Sequence, residues 1–186
     1  MSYNNKLNTA IIGATGYTGL DLIYILSKHP KVKINNLCAT KNLGKKIFFF
    51  DKRIKKNLPR ITSINKINWD NLDLVFLSLP NGEAQKIIKK TFFKYKKIKY
   101  IDLSADFRLT NPKVYSKNYK KAHKAIQLIR DSHYSISELT KDVSKYRIIS
   151  NPGCYPTSVQ LPLVPLIIKK LIKTNDITIN AGFSVA

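Results

Sequence analysis

Cysteine, tryptophan, acid and long apolar runs are all scarce in this chain. Two cysteines in 186 residues, in unlike surroundings, give no disulfide framework, which points to a reducing cytoplasm. No stretch of about eighteen apolar residues exists to cross a membrane. The opening Met1-Ser2-Tyr3-Asn4-Asn5-Lys6 has no signal-peptide core, so a cytoplasmic protein without a membrane partner is expected. Only 11 Asp and Glu stand against 33 Lys and Arg, a net charge of +22, the balance of a nucleic-acid binder. Its distribution argues otherwise. The cations are mostly lysines scattered through every segment, and Arg53, Arg60, Arg108, Arg130 and Arg147 form no stripe. The expectation is attraction of anionic small molecules and salt-sensitive adsorption to nucleic acid, with no specific nucleic-acid partner. No His/Cys/Asp/Glu grouping calls for a metal. The 44% of hydrophobic residues suffices for a core, and the length for one full domain and part of another.

Glycine is also sparse, yet three of the seven fall within Gly13-Ala14-Thr15-Gly16-Tyr17-Thr18-Gly19. Thr9-Ala10-Ile11-Ile12 before it reads as a short buried strand. Leu20, Leu22, Ile23, Ile25 and Leu26 after it read as a helix ended by His29-Pro30. Strand, glycine loop and helix in that order is the geometry that binds a pyrophosphate: glycines let the backbone approach, and the helix N-terminus faces the negative charge. About twenty residues on, where an NAD site places Asp or Glu on the ribose, this chain has Ala39-Thr40-Lys41. A hydroxyl followed by cations suits a 2′-phosphate and hence NADP; the alternative is that these lysines form only a solvated face.

Of the two cysteines, Cys38 sits in an apolar, strand-like run and reads as structural. Cys154 follows the turn Asn151-Pro152-Gly153 and precedes an apolar helical pattern expected over 155–173. That places its sulfur at a helix N-terminus, whose positive end favours a thiolate. The planar fork of Arg108 suits an anionic substrate group, with a structural ion pair to Asp106 or another carboxylate as the alternative.

Strands are expected at 8–12, 33–39, 72–78, 99–102 and 147–150, and helices at 18–28 and 83–90. Short or irregular pieces follow at 114–124 and 138–145, and a further strand near 177–180. The alternation predicts an α/β protein with a Rossmann-like, doubly wound parallel sheet. Its dinucleotide-binding domain covers 1–150, and the start of an α+β catalytic domain covers 151–186.

Four segments carry a resemblance: the glycine loop, Val75-Phe76-Leu77-Ser78-Leu79-Pro80-Asn81-Gly82, Ile101-Asp102-Leu103-Ser104-Ala105-Asp106-Phe107-Arg108-Leu109, and Asn151-Pro152-Gly153-Cys154-Tyr155-Pro156-Thr157. From about Leu7 to about Asn180 the chain resembles the N-acetyl-gamma-glutamyl-phosphate reductases of arginine biosynthesis, distant relatives of the aspartate-semialdehyde dehydrogenases. The resemblance implies a small acyl-phosphate substrate attacked by Cys154, a thioester, and reduction by NADPH to the semialdehyde. It implies cofactor contacts from Gly13, Ala14, Thr15, Gly16, Tyr17, Thr18, Gly19, Thr40, Lys41, Leu79 and Pro80, and substrate contacts from Arg108 and Asn151. It also implies a homo-oligomer at full length. Asn81 stands where the family usually has His, and Tyr134-Ser135-Ile136-Ser137-Glu138 where it has Tyr-Gly-Leu-Pro-Glu. The family continues well beyond Ala186 with a half that carries the histidine base, so an N-terminal portion is expected. His29, His123 and His133 read as structural or surface residues. A non-catalytic dinucleotide-binding fragment and an aminoadipyl-phosphate paralogue are the alternatives.

Overall fold

A computed structural model describes residues 6–54 and 57–182. Seven parallel strands form its sheet: β1 (Leu7–Ile12), β2 (Val32–Cys38), β3 (Ile61–Thr62), β4 (Leu74–Leu77), β5 (Lys99–Asp102), β6 (Ser132–Tyr134) and β7 (Ile148–Ser150), in the order β3-β2-β1-β4-β5-β7-β6. The expected doubly wound α/β sheet is what forms. The strands are short and apolar because both faces are covered. Successive side chains of β1 point to opposite faces: Ala10 and Ile12 join Val75, Leu77 and Tyr100 in one core, while Ile11 joins Leu37 in the other. Helix α1 (Tyr17–Leu26) covers the second core with Ile23 and Leu26, and α2 (Ala84–Thr91) covers the first with Ala84 and Ile88.

Cys38, Ile12, Leu77, Asp102, Ser150 and Tyr134 pair across successive strands and form one row at the carboxyl edge. The loops after these residues all leave from that edge. Chain order reverses between β1 and β4, so the crevice of a doubly wound sheet opens there.

Several boundaries depart from expectation. β3 and β6 were not expected: β3 has two residues, and β6, Ser132-His133-Tyr134, has no apolar run. Helix α3 (Pro112–Tyr119) starts sooner than the piece expected from 114, because the Asn111 side chain accepts from the N–H groups of Lys113 and Val114 and Pro112 takes the first position. Helix α4 (Cys154–Ile168) begins at the cysteine itself, since Pro156 falls in the first turn, where no N–H is needed. It ends five residues before Lys173. Lys170 adopts a left-handed φ of 56°, its N–H bonds the Ile167 carbonyl, and the Leu171 N–H bonds that of Leu166. This Schellman stop is built on lysine where glycine is usual. Residues 177–180 form no strand, for no neighbour pairs with them.

Candidate dinucleotide and cysteine site

The three glycines of the first loop answer different demands. At Gly13, φ is +94° and an added Cβ would fall 1.8 Å from the Ser78 carbonyl oxygen; at Gly19 it would fall 2.2 Å from the Gly13 oxygen. Both are required by backbone packing. Gly16, the N-cap of α1, has an ordinary φ of −79°, and its Cβ would meet nothing nearer than 3.6 Å. Nothing within the fold forbids a side chain there, and the position is open to an approach from outside. The N–H groups of Tyr17, Thr18 and Gly19 in the first turn have no partner among the described residues. This is the donor set an anion takes at a helix start.

A cavity of about 670 Å³ opens beside this loop. Of the residues expected to hold a dinucleotide, Gly13, Thr15, Gly16, Thr40, Leu79 and Pro80 line it. Ala14 is buried behind the loop, donating to the Cys38 carbonyl. Gly19 is buried inside α1, while Tyr17, Thr18 and Lys41 are exposed. Ser63, Ile64, Ser78, Glu83 and Ile87 line it without having been anticipated. Ser78 and Glu83 fell in a strand and a helix that were expected without a site role, Ile87 is an apolar position of that helix, and Ser63 and Ile64 follow the two-residue β3. Glu83 pairs with Lys86, leaving Thr40 and the cations after it at the end of β2. Cys38 also borders the cavity, but it is 1% exposed and burial pushes its thiol pKa up.

Two buried carboxyls organise the loop after β5. Asp102 accepts from the Ser104 N–H and hydroxyl and from the Phe107 N–H, and burial pushes its pKa up to about 6. Asp106 accepts from the N–H groups of Gly82 (2.7 Å) and Gln85 (3.0 Å), capping the start of α2 from another loop, and from the Tyr115 hydroxyl. That hydroxyl also reaches Asn81, and burial beside Asp106 pushes its pKa up. The loops after β4 and β5 are thus one hydrogen-bonded piece.

Arg108 ties this piece to the cysteine. Its Nε donates to the Asn151 carbonyl (2.9 Å) and its Nη2 to the Leu103 carbonyl (3.0 Å), and a Cβ at Gly153 would come within 3.0 Å of Nη1. Among the described residues it makes no ion pair with Asp106, so that alternative is not the observed one. Asn151 is exposed, with its N–H on the Asp102 carbonyl. Cys154 is exposed at the first position of α4, and the N–H groups of Cys154 and Tyr155 have no partner among the described residues. None of the histidines joins it. His29 is exposed, His133 stacks on Tyr146, and His123 is buried with Nε2 on the Asp106 carbonyl and Nδ1 accepting from the Ala125 N–H, burial pushing its pKa down.

The family model described as the semialdehyde dehydrogenase NAD binding domain matches residues 8–147. The chain belongs to the semialdehyde dehydrogenase family. Curated relatives include the N-acetyl-gamma-glutamyl-phosphate reductases of Afipia carboxidovorans, 41% identical over 95% of this chain and 51% of that protein, and of Ehrlichia canis, 42% identical over 100% and 53%. The chain therefore spans about half the length of the curated relatives it matches. Among solved structures, aspartate semialdehyde dehydrogenase II of Vibrio cholerae superposes with a TM-score of 0.61 at 17% identity, covering 88% of this chain and 47% of that one. The aspartate semialdehyde dehydrogenase with NADP from Candida albicans gives 0.55 at 22%, covering 89% and 48%. These last two likenesses are of fold. As a nicotinamide-dinucleotide domain of the semialdehyde dehydrogenase family, the sheet carries its cavity at the β1/β4 reversal. Among the described residues no helix is long and apolar enough to cross a membrane.

Proposed function

We propose that this chain supplies the NADP site and the nucleophile of an N-acetyl-gamma-glutamyl-phosphate reductase. The observation that carries this reading is the shared carboxyl edge: the glycine loop after β1 and Cys154 after β7 leave the same row, three strand spacings or about 14 Å apart. The names of the relatives supply the substrate class.

The residues fit the cofactor. Gly16 and the open N–H groups after it receive a pyrophosphate, and Thr40 with Lys41 receives a 2′-phosphate in place of the carboxylate an NAD site would hold. Bound NADPH supplies the hydride that reduces an acyl group to an aldehyde. Cys154 attacks the acyl carbon as thiolate; the carbon–sulfur bond forms as the carbon–oxygen bond to phosphate breaks, and phosphate leaves with that electron pair. The N–H groups of Cys154 and Tyr155 are placed to stabilise negative charge on the acyl oxygen. Arg108, through the N–H groups of Nη1, faces the turn before Cys154 and holds an anionic group of the substrate. Asn151, through its carbonyl, keeps Arg108 in position.

Titration with NADP and NAD tests the cofactor half, with NADP expected to bind at least about tenfold tighter, a difference of about 1.4 kcal/mol. Equal affinities overturn it. Release of one phosphate per chain from N-acetylglutamyl phosphate, lost in Cys154→Ser, tests the nucleophile.

A further inference from the structure

A second cavity adjoins the crevice. Ile64 and Ile87 line both, so the two share a wall. The second, of about 330 Å³, lies between α2 and the two 3-10 turns at Ile64–Lys66 and Trp69–Asn71. Helix α2 connects β4 to its parallel neighbour β5, so it runs back along the sheet. The end of α2 that borders this cavity therefore lies away from the glycine loop.

Its lining separates into an apolar body and a cationic rim. Trp69 and Tyr95 stack with centroids 5.9 Å apart and planes at 21°, beside Ile64, Ile67 and Ile87. Ile64, Trp69, Ile87 and Tyr95 pack against the main core yet remain only partly covered, so the cavity is where that core shows apolar surface. On the rim, Lys90 in the last turn of α2 and Lys94 in the turn that follows the helix are both exposed, four positions apart. Neither pairs with a carboxylate among the described residues, and the Lys94 ammonium lies 5.2 Å from the Tyr95 ring centroid. Like charges on one rim repel, and an anion between them relieves the repulsion. The helix C-terminus accounts for cations there. It does not account for a stacked aromatic wall beside them. The lining is about as polar as it is apolar, Asn65 and Thr91 adding to the two lysines, and a cavity of this volume with an aromatic wall and convergent polar groups can take a small amphipathic molecule.

We propose that this cavity binds a small amphipathic anion, its flat apolar body against Trp69 and Tyr95 and its single acidic head group between Lys90 and Lys94. Trp69 is the chain's one tryptophan, so its emission reports occupancy of this cavity directly. The probe is anilinonaphthalene sulfonate, with uncharged N-phenylnaphthylamine as the control. The sulfonate should change Trp69 emission saturably, and Lys90→Gln with Lys94→Gln should weaken it about tenfold. The same double substitution should leave the uncharged probe's affinity and the melting temperature unchanged. The proposal is overturned if the sulfonate gives no saturable change, if the double variant binds it as well as the parent, or if NADP displaces it regardless of the two lysines.

Discussion

At the scale of single residues, the glycine loop separates folding from binding. Gly13→Ala forces a methyl group into the Ser78 carbonyl at a left-handed φ and should cost about 2 to 5 kcal/mol, or abolish folding. Gly16→Ala meets ordinary contacts only, so its unfolding free energy should hold to within about 1 kcal/mol while NADP affinity falls at least about tenfold. Denaturant melts and cofactor titrations on the same two variants check both statements. The cysteines form a second pair. Cys154 is exposed, whereas Cys38 is 1% exposed with its thiol pKa raised, so iodoacetamide should modify Cys154 first, and mass spectrometry of the peptides would reveal the order. Asp102 gives a pH dependence. Its folded pKa of about 6 lies above the ordinary 3.8, so the folded state holds the proton more tightly. That contribution is complete below about pH 4 and is lost as pH rises through 6, by about 3 kcal/mol, at about 1.4 per unit. Asp102→Asn should remove this descent from the stability profile. Below about pH 4 it should lower stability by about 1 to 3 kcal/mol, because its amide N–H₂ would replace the oxygen that accepts from Phe107, and above about pH 6 the absent charge should offset that loss.

At the scale of elements, what the sequence disclosed depended on length and on which local rule each segment obeyed. Five strands, β1, β2, β4, β5 and β7, and both helices flanking the cavity were legible because apolar runs and glycine punctuation survive without tertiary context. β3 has two residues and β6, Ser132-His133-Tyr134, no apolar run, so both owe their existence to ladders offered by β2 and β7, whereas the equally short β7 shows itself by Ile148 and Ile149. The stop of α4 was misplaced because Lys170, not glycine, takes the left-handed position. Within the site, the loop glycines, Arg108 and Cys154 could be read from local context. The cap that Asp106 places on α2 could not, since it joins residues 24 and 21 positions apart. Helix α4 differs from the others in having no buried residue although it is apolar around its whole circumference. Such a helix has little tertiary support of its own. Its amides should exchange at least about tenfold faster than those of β1 and β4 by hydrogen-exchange mass spectrometry.

Across the whole molecule, the net charge of +22 surrounds a cavity proposed for an anion. NADP carries a further phosphate beyond NAD, so its affinity should fall more steeply with added salt, which titrations at several ionic strengths would measure. The order of strands has a consequence in time. β1 is made first but lies in the middle of the sheet, and its partner β4 follows 65 residues later. On a ribosome adding about 5 to 20 residues per second, β1 waits roughly 3 to 13 s with one edge open. Gly13 finds the Ser78 carbonyl against which it is shaped only when that interval closes. The nascent chain thus holds every residue that lines its dinucleotide crevice, the last being Ile87, well before Cys154 has been translated.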